Sequence, residues 1–471
     1  MVHFFLYIAA GYAVLFLSVI TFHMPSAFSA DLTILKQEII AYNLMHNKRS
    51  LVDGSYRGEE GILGIRPEVG RLLGLKVLMN EDFFRSKDLF DKAGRSFEKA
   101  VEAMTTEERE RSPGEHARMA SESSRAYNRS LESAREAMKS YRLALTPEAD
   151  SRLREDICAD LLERLLMKSV ERSSYNLRDA LARFYNQCHD KEGWGAPLNP
   201  GNALFVNHLF NRFVINASPE TIKRFDLDKC CDMGRLGPAS RWRHALVGRA
   251  SLYAEMLGPV IEKHNNGKEY TVDLLLFLAL VRQESGFNPH DVSQVGAVGL
   301  TQIMPGTARS LGMKNIFEPG YLDKAVSLMR RERRLRRKAL ALIPKVTALN
   351  GLEIAARARG MMQESLACRR SGRRLYARYK KELLRDRRDE RLDPRKAIEY
   401  GFRYFSRMLR VNRGDISLAL ASYNAGLRRV RQYNGIPPYA ETVSFRNRVL
   451  KYYREYLSQA RRYGAGRRVI R

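Results

Sequence analysis

Apolar residues recur along this chain at spacings of three and four for most of its length. "SFEKAVEAMTTEERER", from Ser96, and "MASESSRAYNRSLESAREAMKSYRLAL", from Met119, set apolar side chains among charges at those intervals. That period puts the apolar positions on one helical face, so both stretches are predicted to be amphipathic helices. "TPEADSRLREDICADLLERLLMKSV" is predicted to open a helix at Thr146, with Pro147 first and Glu148 in the first turn. No alternating strand pattern of useful length occurs beyond Asp31, so the expected fold class is mainly α. Successive helices suggest a repeat solenoid, but no fixed period is found and none is assigned.

"FFLYIAAGYAVLFLSVITF", residues 4–22, carries no charge and approaches the ~20 residues that span a bilayer. Ala27 and Ser29 behind it suit signal-peptidase cleavage before Ala30, although no Lys or Arg precedes the apolar run. Residues 1–30 therefore read as a signal peptide or a membrane anchor. Either reading predicts export to the periplasm or cell envelope. Gly and Pro cluster in "HDKEGWGAPLNPGN", from His189, and "GRLGPASRW", from Gly234. A boundary after the second divides the rest into a helical N-terminal domain, 31–245, and a motif-bearing domain, 246–471.

Charge changes the picture in one place. Among 471 residues, Lys and Arg exceed Asp and Glu by 81 to 53, a formal +28, which implies an anionic partner. Residues 324–391 hold 22 Lys or Arg against 7 Asp or Glu, a net of +15. They read as a basic helical insert suited to an anionic membrane surface or anionic wall polymers. Export counts against nucleic acid as the partner. The five cysteines show no metal spacing; a Cys158–Cys188 disulfide is conceivable, but buried free thiols are the default. The nine histidines form no HExxH cluster, so neither a metal nor another cofactor is expected.

The candidate chemistry centres on Glu284, which follows the apolar run 274–281 and precedes a loop rich in Gly, Ser and Pro. If "VDLLLFLALVRQE" is a buried helix, low dielectric and the negative helix end both disfavour ionisation of that carboxyl. A carboxyl that stays protonated near neutral pH is what a general acid needs to cleave a glycosidic bond. The bland alternative is a Glu that caps loop amides or pairs with Arg282. Gly296 and Gly299 permit unusual backbone and close approach of a sugar. Gln302 and Asn424 offer donors and acceptors suited to hydroxyl and N-acetyl groups.

The surrounding series is E-S-x-F-x-P, then S-x-x-G-A-x-G-L-x-Q-I-M-P-x-T-A. Its members are Glu284, Ser285, Phe287, Pro289, then Ser293, Gly296, Ala297, Gly299, Leu300, Gln302, Ile303, Met304, Pro305, Thr307 and Ala308. This resembles the soluble lytic transglycosylase (SLT) family, whose catalytic domain is similar to goose-type lysozyme. "ALASYNAG", from Ala419, resembles the family's A-Y-N-A-G block, with Ser422 where Ala is usual. "DPRKAIEYGFRYFSRML" resembles the helix leading into it. "PYAETVSFRNRV", from Pro438, resembles the closing E-T-x-x-Y motif, with Phe445 in place of Tyr. The family's Tyr hydroxyl lies near its catalytic Glu, so Phe445 is a departure that Tyr439 is a candidate to compensate.

The resemblance covers roughly residues 246–456 without the insert. It implies a lysozyme-like helical domain with Glu284 as single general acid and base. It also implies substrate contacts from Ser285, Gly299, Leu300, Gln302, Tyr423, Asn424, Glu441 and the Phe445 position, with Glu441 preferentially structural. The implied substrate is peptidoglycan. Glu284 would protonate the oxygen leaving C1 of N-acetylmuramic acid, then take the proton from the C6 hydroxyl that attacks C1, leaving a 1,6-anhydro end. Ordinary glycosidases need a second carboxylate for water or as nucleophile. A muramidase-type hydrolase on the same fold, and a non-catalytic wall- or assembly-binding protein, are the competing expectations. For residues 31–245, a scaffold of packed helices competes with a substrate-positioning or partner-binding domain.

Overall fold

The computed structural model describes residues 32–53, 55–106, 112–189, 198–228, 246 and 248–466. The apolar run 4–22, most of the first Gly/Pro cluster, all of the second, and Cys230 and Cys231 lie outside them. Among the described residues the chain is helical, with isolated bridges and no strand, as the three-and-four spacing predicts. None of these helices is long and apolar enough to cross a membrane.

In the first half the helices are α1 (Thr33–Asp53), α2 (Pro67–Leu72), α3 (Glu81–Thr105), α4 (Pro113–Leu143), α5 (Glu155–Arg172), α6 (Leu177–His189), α7 (Ala203–Asn216) and α8 (Pro219–Lys223). Their starts follow local chemistry. Asn80 accepts from the Phe83 amide, and Ser112 and Glu115 form a reciprocal capping box ahead of Pro113. The helix expected from Thr146 begins instead at Glu155. Asp150 is the reason: its carboxylate binds both the amide and the guanidinium of Arg152, and the chain makes a 3-10 turn over Ser151–Leu153.

The second half holds α9 (Arg249–Asn265), α10 (Leu274–Ser285), α11 (Pro305–Leu311), α12 (Gly320–Leu340), α13 (Gly351–Asp386), α14 (Pro394–Val411), α15 (Ile416–Ala425), α16 (Leu427–Gln432) and α17 (Ala440–Gly466). α9, α10, α14, α15 and α17 enclose one apolar core. A second core is built by α1, α5, α6 and α7, and it extends to Ala421, Val430, Ile436 and Val443 of the other half. The two halves thus share apolar packing across the expected boundary at 245.

They also share buried charge. Arg446 of α17 reaches Asp179 at 3.0 Å and Asp228 at 2.9 Å, while Arg178 of α6 holds Asp415 at 2.5 Å. Ser417 donates to Asp228 and accepts from Arg446 Nε at 2.9 Å. Burial alone would raise the Asp228 carboxyl, but Arg446 and Arg178 hold it well below the usual carboxylate range. Cys158, Cys188 and Cys368 are buried free thiols.

The basic insert is a helical hairpin, α12 and α13, and it does not stand free. Ala339, Ile343, Ala355, Ala358 and Met362 pack against Ala100, Ala103, Met104 and Ala120 of α3 and α4. The small side chains allow close helix approach. Arg359 donates to the carbonyls of Ala103 and Thr106, at 2.7 and 3.2 Å, and so caps the end of α3.

Candidate active site

Three elements converge on Glu284. α10 brings it there: Asp273 caps the helix start by accepting from the Leu276 amide, and Gly286, at φ +58°, ends it in the left-handed conformation. Residues 274–281 are all buried, so the helix is fixed inside the core with Glu284 at its last turn. The loop 286–304 folds back over that end, and α15 and α17 bring Tyr423 and Glu441 alongside.

The Glu284 side chain keeps partial access to solvent. Burial, followed by the negative charges of Glu441 and Asp291, pushes its carboxyl up to about 8. No hydrogen-bond or ion-pair partner for that carboxyl occurs among the described residues. Arg282, the partner in the bland alternative, is committed elsewhere. It pairs with Glu455 at 3.0 Å and lies over the Tyr452 ring at 3.9 Å.

The loop is held by its own residues. Ser285 Oγ donates to the Leu300 carbonyl at 2.9 Å, so its role is to tie helix to loop. Gln302, at φ +46°, donates its amide to the carbonyls of Gly299 and Asp291, at 2.9 and 3.2 Å. Those donors brace the loop instead of facing a sugar. Thr301 Oγ1 donates to the Ala397 carbonyl at 2.9 Å, and Gly401 of α14 leaves room for the Thr301 side chain. Leu300 is fully buried in the core, which removes its side chain from substrate reach.

Gly299 has the expected positive φ, +79°, for a different reason than sugar access. A Cβ there would lie 1.9 Å from the Arg391 carbonyl oxygen, so protein backbone fills that side. Arg391, assigned from sequence to the end of the insert, is buried under the loop. It donates to the carbonyls of Gly296 and Ile303, at 3.1 and 3.2 Å, to Tyr379 Oη at 2.8 Å, and pairs with Asp389 at 2.7 Å. Sequence reasoning missed Arg391 and Asp291. The first was hidden in a run of basic residues, and nothing near Asp291 marks it as a neighbour of Glu284.

Tyr423 is buried and donates to the Thr301 carbonyl at 2.7 Å. Burial and the nearby Glu284 raise its phenol well above the ordinary value. It is the tyrosine brought close to the acid. Tyr439 packs edge-on against Tyr433, with ring centroids 5.6 Å apart. Phe445 belongs to the core around α10 and α17, only 4% exposed. Asn424 accepts from Thr442 Oγ1 at 2.8 Å, joining the two later motifs, and Glu441 is exposed in the first turn of α17. The arrangement can deliver one proton from one partly accessible carboxylic acid and receive it back.

The model of the transglycosylase SLT domain matches residues 263–327 and 321–442. A curated transglycosylase of Enterobacteria phage PRD1 is 47% identical over 51 residues, which are 11% of this chain and 19% of that protein. The chain thus spans about a fifth of the length of that relative. Two solved structures match at low similarity. The 70 kDa soluble lytic transglycosylase of Escherichia coli is 17% identical, with a TM-score of 0.26 over 89% of this chain and 62% of that one. An inactive mutant of the lytic transglycosylase Slt of Pseudomonas aeruginosa is 14% identical, with a TM-score of 0.25 over 90% and 72%. Residues 263–327 and 321–442, less than half of the chain, are thus similar to the transglycosylase SLT domain.

Proposed function

We propose that the protein is a lytic transglycosylase that cleaves the bond between N-acetylmuramic acid and N-acetylglucosamine in peptidoglycan, with Glu284 as its single acid and base. One observation carries this reading: a Glu284 carboxyl without a partner among the described residues, raised to about 8 beside Glu441 and Asp291. A carboxylic acid in that state is protonated at neutral pH and can donate to the leaving glycosidic oxygen. As a carboxylate it then accepts the proton of the C6 hydroxyl while that oxygen bonds to C1. The sugar's acetamido group supports the cation that develops between the two steps. The bond broken and the bond formed are both to C1 of N-acetylmuramic acid, and the attacking oxygen is that sugar's own, so no water is consumed and the new end is a 1,6-anhydro ring. Glu441 and Asp291 act on the proton affinity of Glu284, and Tyr423 fixes the loop that faces it.

Digestion of purified sacculi followed by mass analysis of the ends tests the reading. Anhydro ends, one water lighter than reducing ends, are expected. Reducing ends alone would assign a hydrolase instead.

A further inference from the structure

The loop of the candidate active site occurs twice in the chain, at a constant separation of 238 residues, from Gly61 to Gly299. "SYRGEEGILGIRPEVGRLLGLK", from Ser55, pairs with "SQVGAVGLTQIMPGTARSLGMK", from Ser293, keeping the Ser, two Gly, Ile, Pro, Arg, Leu, Gly and Lys positions. The backbone repeats as well. Gly58, Gly61, Gly64 and Gly74 have φ of +87°, +74°, +59° and +81°, against +88°, +79°, +46° and +96° at Gly296, Gly299, Gln302 and Gly312. The bridge Glu60–Ile65 matches Val298–Ile303. A Cβ on Gly61 would lie 1.9 Å from the Arg152 carbonyl, as one on Gly299 would from Arg391.

Beneath each loop sits the same buried ion pair. Arg152 donates to the carbonyls of Gly58 and Ile65, at 2.6 and 2.8 Å, to Tyr141 Oη at 2.7 Å, and pairs with Asp150 at 2.7 Å. Every one of those partners is the counterpart of an Arg391 partner. Each loop is followed by a long helical hairpin, α3–α4 or α12–α13, then by a 3-10 turn and a helix. Next comes a left-handed pair, Ser174–Tyr175 or Arg413–Gly414, and a capping residue, Asn176 or Asp415. "ALARFYN" in α6 answers "ALASYN" in α15. No solenoid period is assigned from sequence; what the backbone repeats is one succession of loop, hairpin, turn and cap, once in each half.

We propose that residues 32–228 form a second glycan site that binds a strand of the same polymer without cutting it. The inference rests on the transglycosylase reading for its ligand. At the 238-residue separation, His46 stands where Glu284 does and Gly64 where Gln302 does; beyond the hairpin, where the separation is 239, Phe184 takes the place of Tyr423 in the repeated A-L-A block. No carboxylic acid remains at the position of the proton donor. A surface suited to sugar rings does remain. Exposed His46 stacks on Tyr42 at 5.9 Å, and exposed His208 lies 5.3 Å from the same ring. Half-buried Tyr185 packs on His189 at 4.2 Å. Asn43 and Asn47 donate to the carbonyls of Ile62 and Gly61, both at 3.3 Å, bracing this loop as Ser285 braces the other. The shared ion network Arg178–Asp415 and Arg446–Asp179 fixes one copy against the other. Two rigidly joined sites on one polymer hold it more tightly than either alone.

Calorimetric titration of the full-length Glu284→Gln variant with a muropeptide-derived tetrasaccharide tests the proposal. Two equivalents are expected. Adding His46→Ala and His208→Ala, both at exposed positions, should leave one equivalent and weaken sacculus binding at least about tenfold. Unchanged circular dichroism would show that the fold is kept. A single equivalent that these substitutions leave untouched overturns the second site. Wild-type digestion of sacculi, measured in parallel, separates the two readings. Cleavage with one equivalent removes only the second site, whereas two equivalents without cleavage keep that site and remove the transglycosylase reading.

Discussion

Gly299 faces the carbonyl oxygen of Arg391 so closely that a Cβ would sit 1.9 Å from it. The glycine also has φ +79°, which side-chain-bearing residues rarely adopt. Gly299→Ala therefore has to move either the loop or the turn that carries Arg391. We expect a loss of about 3 kcal/mol or more in unfolding free energy, through strain and the displaced ion pair. Denaturant titration checks this. A change within about 0.5 kcal/mol would show that the close approach is not enforced.

Raised proton affinity at Glu284 gives the pH dependence a definite sign. Its acid form is present below about 8 and is lost as pH rises through that value, so cleavage should decline on the alkaline side near pH 8. Glu441 and Asp291 both push this carboxyl up. Glu441→Gln should shift the alkaline limb of the rate profile to lower pH, and Asp291→Asn should shift it less. Unmoved limbs in both variants would detach the profile from Glu284.

The same carboxyl weakens the fold at neutral pH. Between the unfolded value, roughly 4.3, and about 8, the unfolded chain has released this proton while the folded chain keeps it. Stability contributed by this group falls as pH rises through that window. Glu284→Gln should remove cleavage, by at least about a hundredfold, and raise stability at pH 8 by about 1 kcal/mol or more. The gain should vanish near pH 4, which thermal melts at the two pH values would reveal.

The helices were legible in the sequence because their apolar residues keep one period, and so was the position of Glu284 just past a run of eight apolar residues, all of which are buried. What the period does not report is which neighbour a loop residue meets. Gln302 has the donors a sugar needs, but it spends them on the carbonyls of Gly299 and Asp291. Arg391 read as one more charge in a basic run, yet it is fully buried under the active-site loop. The duplication escaped because it lies in turn geometry. Gly58, Gly61 and Gly74 keep the positive φ of Gly296, Gly299 and Gly312, and Pro67 the identity of Pro305, while most residues between them differ.

Removing one partner from the buried network between the copies leaves an uncompensated charge. Arg446→Met would take one cation from each of Asp179 and Asp228, which it meets at 3.0 and 2.9 Å, leaving Asp179 with Arg454 at 3.0 Å and Asp228 with Arg178 at 3.6 Å. Breaking a buried pair this way typically costs about 3–5 kcal/mol. The depressed Asp228 carboxyl adds stability that is present above its unfolded pKa and is lost as pH falls through the folded one. The deficit of Arg446→Met should therefore shrink in acid. An equal deficit at pH 3 and pH 7 would mean that packing, not charge, holds the copies together.

The basic hairpin calls for charge substitutions, because its two ends serve the fold. Tyr379, Asp389 and Arg391 anchor the active-site loop, and Arg359 caps α3, so replacing residues 324–391 by a linker would damage both copies. Arg334, Arg337, Lys338, Arg373, Arg374 and Lys380 are exposed instead. If the net of +15 in this segment draws the protein to anionic lipid or wall polymer, the attraction is a field effect of exposed charges. Such charges are screened beyond roughly 8 Å at physiological ionic strength. Changing those six residues to Gln should weaken binding to anionic vesicles and sacculi several-fold at low salt, with the difference fading as salt rises. Cleavage of a short soluble glycan should be unchanged. Binding that is equal to wild type across the salt series would exclude electrostatic attachment through this hairpin.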